Sequence, residues 1–178
     1  MPRLIVLNGP PGIGKSTLAR RFVDDHPMSL ALEQDVVRGL LGASRTRLAE
    51  SGAAARELCL VMARCHLLAG QDVLVPQFVA DPGYLDRLSE LAADVGAAHV
   101  ELVLMDTPDS AQRRFSARIN DPLWAEHQRV AAAVIEESGG YAHQYERLQH
   151  CLAGRTVVEI RSAAGDADAT YRELLARL

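Results

Sequence analysis

The chain has 178 residues, 48% hydrophobic and 24% charged, with 19 Lys plus Arg against 23 Asp plus Glu, a formal charge of −4. That length suits one domain spanning 1–178 and leaves no room for a ring-forming ATPase module with a separate lid domain. No apolar run approaches the roughly 18 residues of a membrane span, and the start shows no signal pattern, so a cytoplasmic protein is expected.

Arg3 to Leu7 reads as a buried strand, and Lys15 to Asp24 as the helix after a glycine-rich turn. Ser29 to Glu33 is a weaker second strand, followed by a short helix from Val36 to Leu41. Glu50 to Ala69 reads as a long helix, with Leu58, Val61, Cys65 and Leu68 at helical spacing on one side. Asp72 to Val75 is a third strand, Gly83 to Val95 a helix and Val100 to Met105 a fourth strand. A helix starts near Pro108; Asp121 and Pro122 read as N-cap and first-turn residues of another, which runs to Glu137 and stops at Gly139 and Gly140. Tyr141 to Leu152 is helical, Thr156 to Ile160 a fifth strand, and Ala167 to Leu178 a closing helix. Strands alternating with helices imply an α/β fold, a mostly parallel sheet covered on both faces. Ligands then belong at the carboxyl ends of the strands.

The three cysteines show no CxxC or CxxH spacing, and the six histidines are scattered, so no zinc set is expected. Cys59 and Cys65 read as buried reduced thiols.

Directly after the first strand stands Gly9-Pro10-Pro11-Gly12-Ile13-Gly14-Lys15-Ser16, continuing into Thr17, which fits G-x-x-x-x-G-K-[ST]. Glycines let backbone N–H groups turn inward around phosphate oxygens, and the following helix adds its positive N-terminal end. Lys15 is expected to reach the β- and γ-phosphates of ATP, and Ser16 to place its hydroxyl on Mg²⁺. Of the 19 basic residues 18 are arginine and only Lys15 is lysine, so this position needs a compact ammonium rather than a planar guanidinium.

A phosphate loop does not name the reaction. A guanine-reading switch needs a second lysine in N-K-x-D, and the sequence has none. Leu102 to Asp106 fits a Walker-B string, but any buried strand ending in Asp satisfies it. Whether Asp35 or Asp106 stands second to Ser16 at the metal is left open. Asp35 and Arg38 follow the second strand, across the sheet crevice from the loop, where a carboxylate can take an acceptor hydroxyl's proton. Arg38 shares a helical face with it; a capping aspartate beside a surface arginine is the plainer alternative. Arg114 and Arg118 are one helical turn apart, and as part of a closing lid would stabilise charge on the transferring group.

Together Leu7 to Thr17, Asp35-x-x-Arg38 and the arginine-bearing helix after strand four resemble small P-loop kinases of the nucleoside and nucleotide kinase type. That group includes 5′-polynucleotide kinases, chloramphenicol phosphotransferases, zeta toxins and tunicamycin resistance proteins. The resemblance implies a three-layer fold with strand order 2-3-1-4-5, ATP with Mg²⁺, and a mobile lid over about 108–140. It assigns the general base to Asp35, its companion to Arg38 and the lid arginine to Arg118, with Arg114 one turn before. The segment Leu74 to Leu85, with Val-Pro ending the strand and Pro-x-Tyr starting a helix, looks most like the tunicamycin resistance group.

The charge balance, 4% aromatics and lack of a basic run beyond Arg113-Arg114 speak against a long nucleic-acid groove. The expected acceptor is therefore a small hydroxyl compound, such as a nucleoside, sugar or antibiotic. Trp124, His127, Tyr141, Tyr145, Gln77 and Phe78 are candidates for its pocket, although such aromatics are more often core. Competing readings are a nucleotide-binding resistance or regulatory module that transfers nothing, and a polynucleotide 5′-kinase. The acceptor's identity and the oligomeric state are not legible.

Overall fold

The computed structural model describes residues 1–119, 126–162 and 165–178, with side chains described except at 118, 119, 126–129 and 131. Its centre is β1 (Arg3–Asn8), whose Leu4 and Val6 point to one face of the sheet while Ile5 and Leu7 point to the other. All four are fully buried, each contributing about 1.5–3 kcal/mol by burial. A strand apolar on both sides needs parallel neighbours and a layer above and below it.

Those neighbours are β3 (Val73–Val75) on one side and β4 (Ala98–Met105) on the other, with β2 (Leu30–Ala31) and β5 (Val158–Arg161) at the edges. The order is β2-β3-β1-β4-β5 and every pairing is parallel. One core layer lies between the sheet and α2 (Gln34–Gly39), α3 (Leu48–Leu68) and α4 (Pro82–Asp94). The other lies under α1 (Lys15–Asp25), α5 (Pro108–Ile119), α6 (Glu126–Glu137), α7 (Gly140–Leu152) and α8 (Ala167–Ala176). The expected three-layer fold and strand order are both present. No helix among the described residues is long and apolar enough to cross a membrane.

Several boundaries differ from the sequence expectation. Strand β2 is two residues long, and the short helix after it starts at Gln34, so Asp35 lies within its first turn and does not cap it. The largest difference concerns α3. The face with Leu58, Val61, Cys65 and Leu68 is exposed, and the buried face carries Ser51, Ala55, Cys59, Leu60, Ala63 and Leu67. Of the two thiols expected inside, Cys59 is buried and Cys65 is not. Both faces are apolar, so spacing alone does not choose between them. Asp121, Pro122 and Trp124 lie outside the described residues, as do the side chains of Arg118 and His127.

Candidate active site

The glycine loop is fixed at its start and in its middle by side chains. Asn8, buried at the end of β1, accepts from the Gly9 N–H at 2.8 Å and the Val79 N–H at 3.0 Å, and donates to the Val79 carbonyl at 2.9 Å. It thereby staples the loop to the segment after β3. Ile13 is fully buried and anchors the middle of the loop in the core. Gly9 and Gly12 both have positive φ, and side chains there would collide with backbone: a Cβ would lie 2.5 Å from the Leu104 carbonyl oxygen or 2.9 Å from Phe115 Cα. Helix α5 therefore packs its backbone straight onto the loop.

Lys15 is buried, and its ammonium donates to the carbonyls of Gly9 at 2.7 Å and Pro10 at 3.0 Å. Its neighbour Ser16 donates from Oγ to Glu33 Oε2 at 2.8 Å. A hydroxyl beside a carboxylate is a hard-oxygen set of the kind Mg²⁺ takes, directly or through its waters. Glu33 went unnoticed in the sequence because it reads as the end of a strand; the signal was an acid two residues before Asp35. Asp106 is engaged elsewhere, accepting from Ser110 at 2.6 Å and from the Thr107 N–H at 2.8 Å, with Arg114 3.6 Å away. Burial alone would raise its carboxyl, but those two hydrogen bonds and the Arg114 charge outweigh burial and hold it below its ordinary value.

One cleft of about 590 Å³ runs from Pro11, Gly12, Lys15 and Ser16 to Glu33, Asp35 and Arg38. Asp35 and Arg38 face each other, the buried Arg38 Nη2 lying 3.1 Å from Asp35 Oδ1 as an ion pair outside hydrogen-bond geometry. Behind Asp35, burial and then the Asp35 charge push the Cys59 thiol up to about 11, so it stays protonated. Gln77 and Phe78 line the cleft as expected. Arg56 and Arg147 lie on its walls; Arg56 donates to Asp81 at 2.8 Å and Arg147 to the Gln144 side-chain carbonyl at 3.2 Å. Phe115, Ala132 and Ile135 add an apolar wall from α5 and α6.

Arg114 is placed differently from the sequence expectation. It does not line that cleft; its guanidinium donates to the carbonyls of Ile13 and Ser162, both at 2.7 Å. It faces a smaller cavity of about 200 Å³ beside Gly14, Thr17 and Gly165, on the opposite side of the loop. Helical spacing put Arg114 and Arg118 on one face but gave no direction to it. Tyr141 and Tyr145 are buried rather than pocket-lining: their hydroxyls donate to Pro11 and Asp106 carbonyls at 3.3 and 3.1 Å.

A parallel sheet in this order, with a glycine loop leading from its central strand into a helix, is the fold of a P-loop protein. A family profile described as an AAA domain matches residues 4–144, most of the chain, and the chain belongs to that family. No curated protein sequence matches it. Among solved structures, a gluconokinase from Sinorhizobium meliloti superposes with a TM-score of 0.64 at 19% identity, covering 98% of this chain and 90% of that one. The APS kinase of Mycobacterium tuberculosis in complex with AMPPNP and APS gives 0.63 at 18%, over 98% and 96%. A tunicamycin resistance protein of Deinococcus radiodurans gives 0.58 at 18%, over 99% and 95%. At these identities the likeness is one of fold.

Proposed function

We propose that the chain is an ATP-dependent phosphotransferase that moves the γ-phosphate to a hydroxyl of a small molecule. The observation that carries this reading is that one cleft holds Lys15 and Ser16 on one wall and Asp35 with Arg38 on another. A binding module has no need of a carboxylate and an arginine facing its phosphate loop; a transferase does. The fold is also that of a gluconokinase and an APS kinase, proteins named for small-molecule acceptors.

In this reading the amides of Gly9 to Thr17 cradle the phosphates, and Lys15 moves its ammonium from the loop carbonyls to the phosphate oxygens. Ser16 holds the metal, with Glu33 beside it to accept from metal-bound water. Magnesium, when bound with ATP, draws charge from the β- and γ-phosphate oxygens. Asp35 accepts the acceptor's hydroxyl proton as its oxygen attacks the γ-phosphorus, whose bond to the β–γ bridging oxygen breaks so that ADP leaves, and Arg38 keeps that carboxylate aimed and contacts the acceptor. Arg114 holds the phosphate loop to the segment after β5 rather than contacting the transferring group, and Arg118 belongs to a lid over about 108–140. Arg56 and Arg147, with Gln77, suit a polar acceptor bearing an acidic group, while Phe78 and Phe115 suit an apolar or planar portion.

The test is γ-labelled ATP offered with nucleosides, sugars, sugar acids, hydroxylated antibiotics and oligonucleotides. Label should appear on a small hydroxyl compound. Label found only as free phosphate, or only on oligonucleotides, overturns the reading.

A further inference from the structure

Helix α3 is apolar on two faces, and only one is used by the core. The unused face carries Ala54, Leu58, Val61, Met62, Cys65 and Leu68, all exposed and none charged. Leu58 is 43%, Val61 67% and Leu68 64% exposed, values typical of surface charges rather than branched aliphatics. The spacing of Leu58, Val61, Cys65 and Leu68 alternates three and four residues, which is the seam of two helices packed along their length.

We propose that this face of α3 pairs with the same face of a second copy of the chain, antiparallel about a two-fold axis. The spacing is self-complementary about Ala63: Leu58 meets the partner's Leu68, Val61 meets the partner's Cys65, and Met62 lies near the axis. Charge favours an identical partner over a charged foreign one. Glu57 on the rim is held by Arg87 through two bonds of 2.6 Å, and Arg64 is paired with Asp94 at 3.4 Å. These two ion pairs are thus closed within each copy, and with Glu90 of α4 beside Arg87 as the carboxylate they leave over, the rim offers a charged foreign surface little to bind. The apolar stripe with its rim would bury on the order of 1,000 Å² in total, near the lower limit for a specific interface, so the dimer is a reversible one.

Sedimentation velocity on the full chain across the micromolar range tests this. The wild type should shift toward twice the monomer mass as concentration rises. Val61→Glu would bury an unpaired carboxylate, raising the dimer dissociation constant at least about a hundredfold. As Val61 is on the surface of each copy, this variant should keep the wild-type circular dichroism spectrum and nucleotide affinity. A second variant, Val61→Cys, should cross-link to the partner's native Cys65 under mild oxidation, and adding Cys65→Ser should abolish the cross-link. A wild type that stays monomeric throughout overturns the proposal, as does a dimer indifferent to Val61→Glu or one in which Val61→Cys gives no cross-link.

Discussion

The two flanks of the phosphate loop use the same residue types to opposite ends. Toward β2 and α2, Glu33, Asp35 and Arg38 face a large open cleft, and the buried Arg38 Nη2 meets Asp35 at 3.1 Å as a charge pair without hydrogen-bond geometry. Toward β5 and α5, Arg114 and Asp106 are each bound to several partners, two of them backbone carbonyls of the loop and of the segment after β5. Charged groups left incompletely satisfied inside a cleft are arranged for something that arrives later; fully satisfied ones are building material. An arginine's place in a helix does not reveal which of the two it is. Its partners do.

The difference can be broken most visibly at Asp35. Asp35→Asn should lower kcat about a thousandfold while ATP affinity by calorimetry stays unchanged, since an amide keeps the shape but accepts no proton. Retention of a tenth or more of the activity would sink the base assignment. On the other flank the expected damage is to stability. Arg114→Ala removes donors from two carbonyls and a charge from beside Asp106, and should cost about 2 kcal/mol in urea unfolding. That gap should be widest near neutrality. Because the folded-state Asp106 carboxyl sits below its ordinary value of 3.8, its stabilising contribution is present above that value. It is lost as pH falls through the lowered one, so wild type and variant should converge in acid. A gap that stays constant with pH would show that Asp106 is not the partner lost. The smallest effect is expected at Glu33. Glu33→Gln should raise the Mg²⁺ concentration needed for AMPPNP binding about tenfold, as for an outer-shell carboxylate. An unchanged Mg²⁺ titration would remove Glu33 from the metal's surroundings.

How much of this the sequence disclosed depends on whether a feature is local. The loop from Gly9 to Thr17 is legible because its chemistry lies in consecutive residues, and Asp35 because it follows a strand at the ligand end of the sheet. Asn8 and Glu33 escaped notice because each works through a partner distant in the chain, Val79 and Ser16 respectively. Which face of α3 turns outward was not legible for a different reason. Ala55, Cys59, Ala63 and Leu67 are as periodic as Leu58, Val61, Cys65 and Leu68, and periodicity carries no sign. Tyr141 and Tyr145 looked like pocket residues from their type alone, yet their hydroxyls reach backbone carbonyls and hold α7 against the loop and the end of β4.

With its ammonium seated on the Gly9 and Pro10 carbonyls, Lys15 is already in place before a nucleotide arrives. Phosphate binding is then an exchange of partners, not the capture of a loose cation. When the product leaves, the same two carbonyls take the ammonium back, so neither entry nor exit passes through a bare buried charge. A guanidinium is too broad to rotate between carbonyls and phosphate in so small a space, whereas a compact ammonium turns on the spot. This gives a kinetic meaning to the one lysine in a chain otherwise furnished with arginine: it is the cation that can change hands at every turnover.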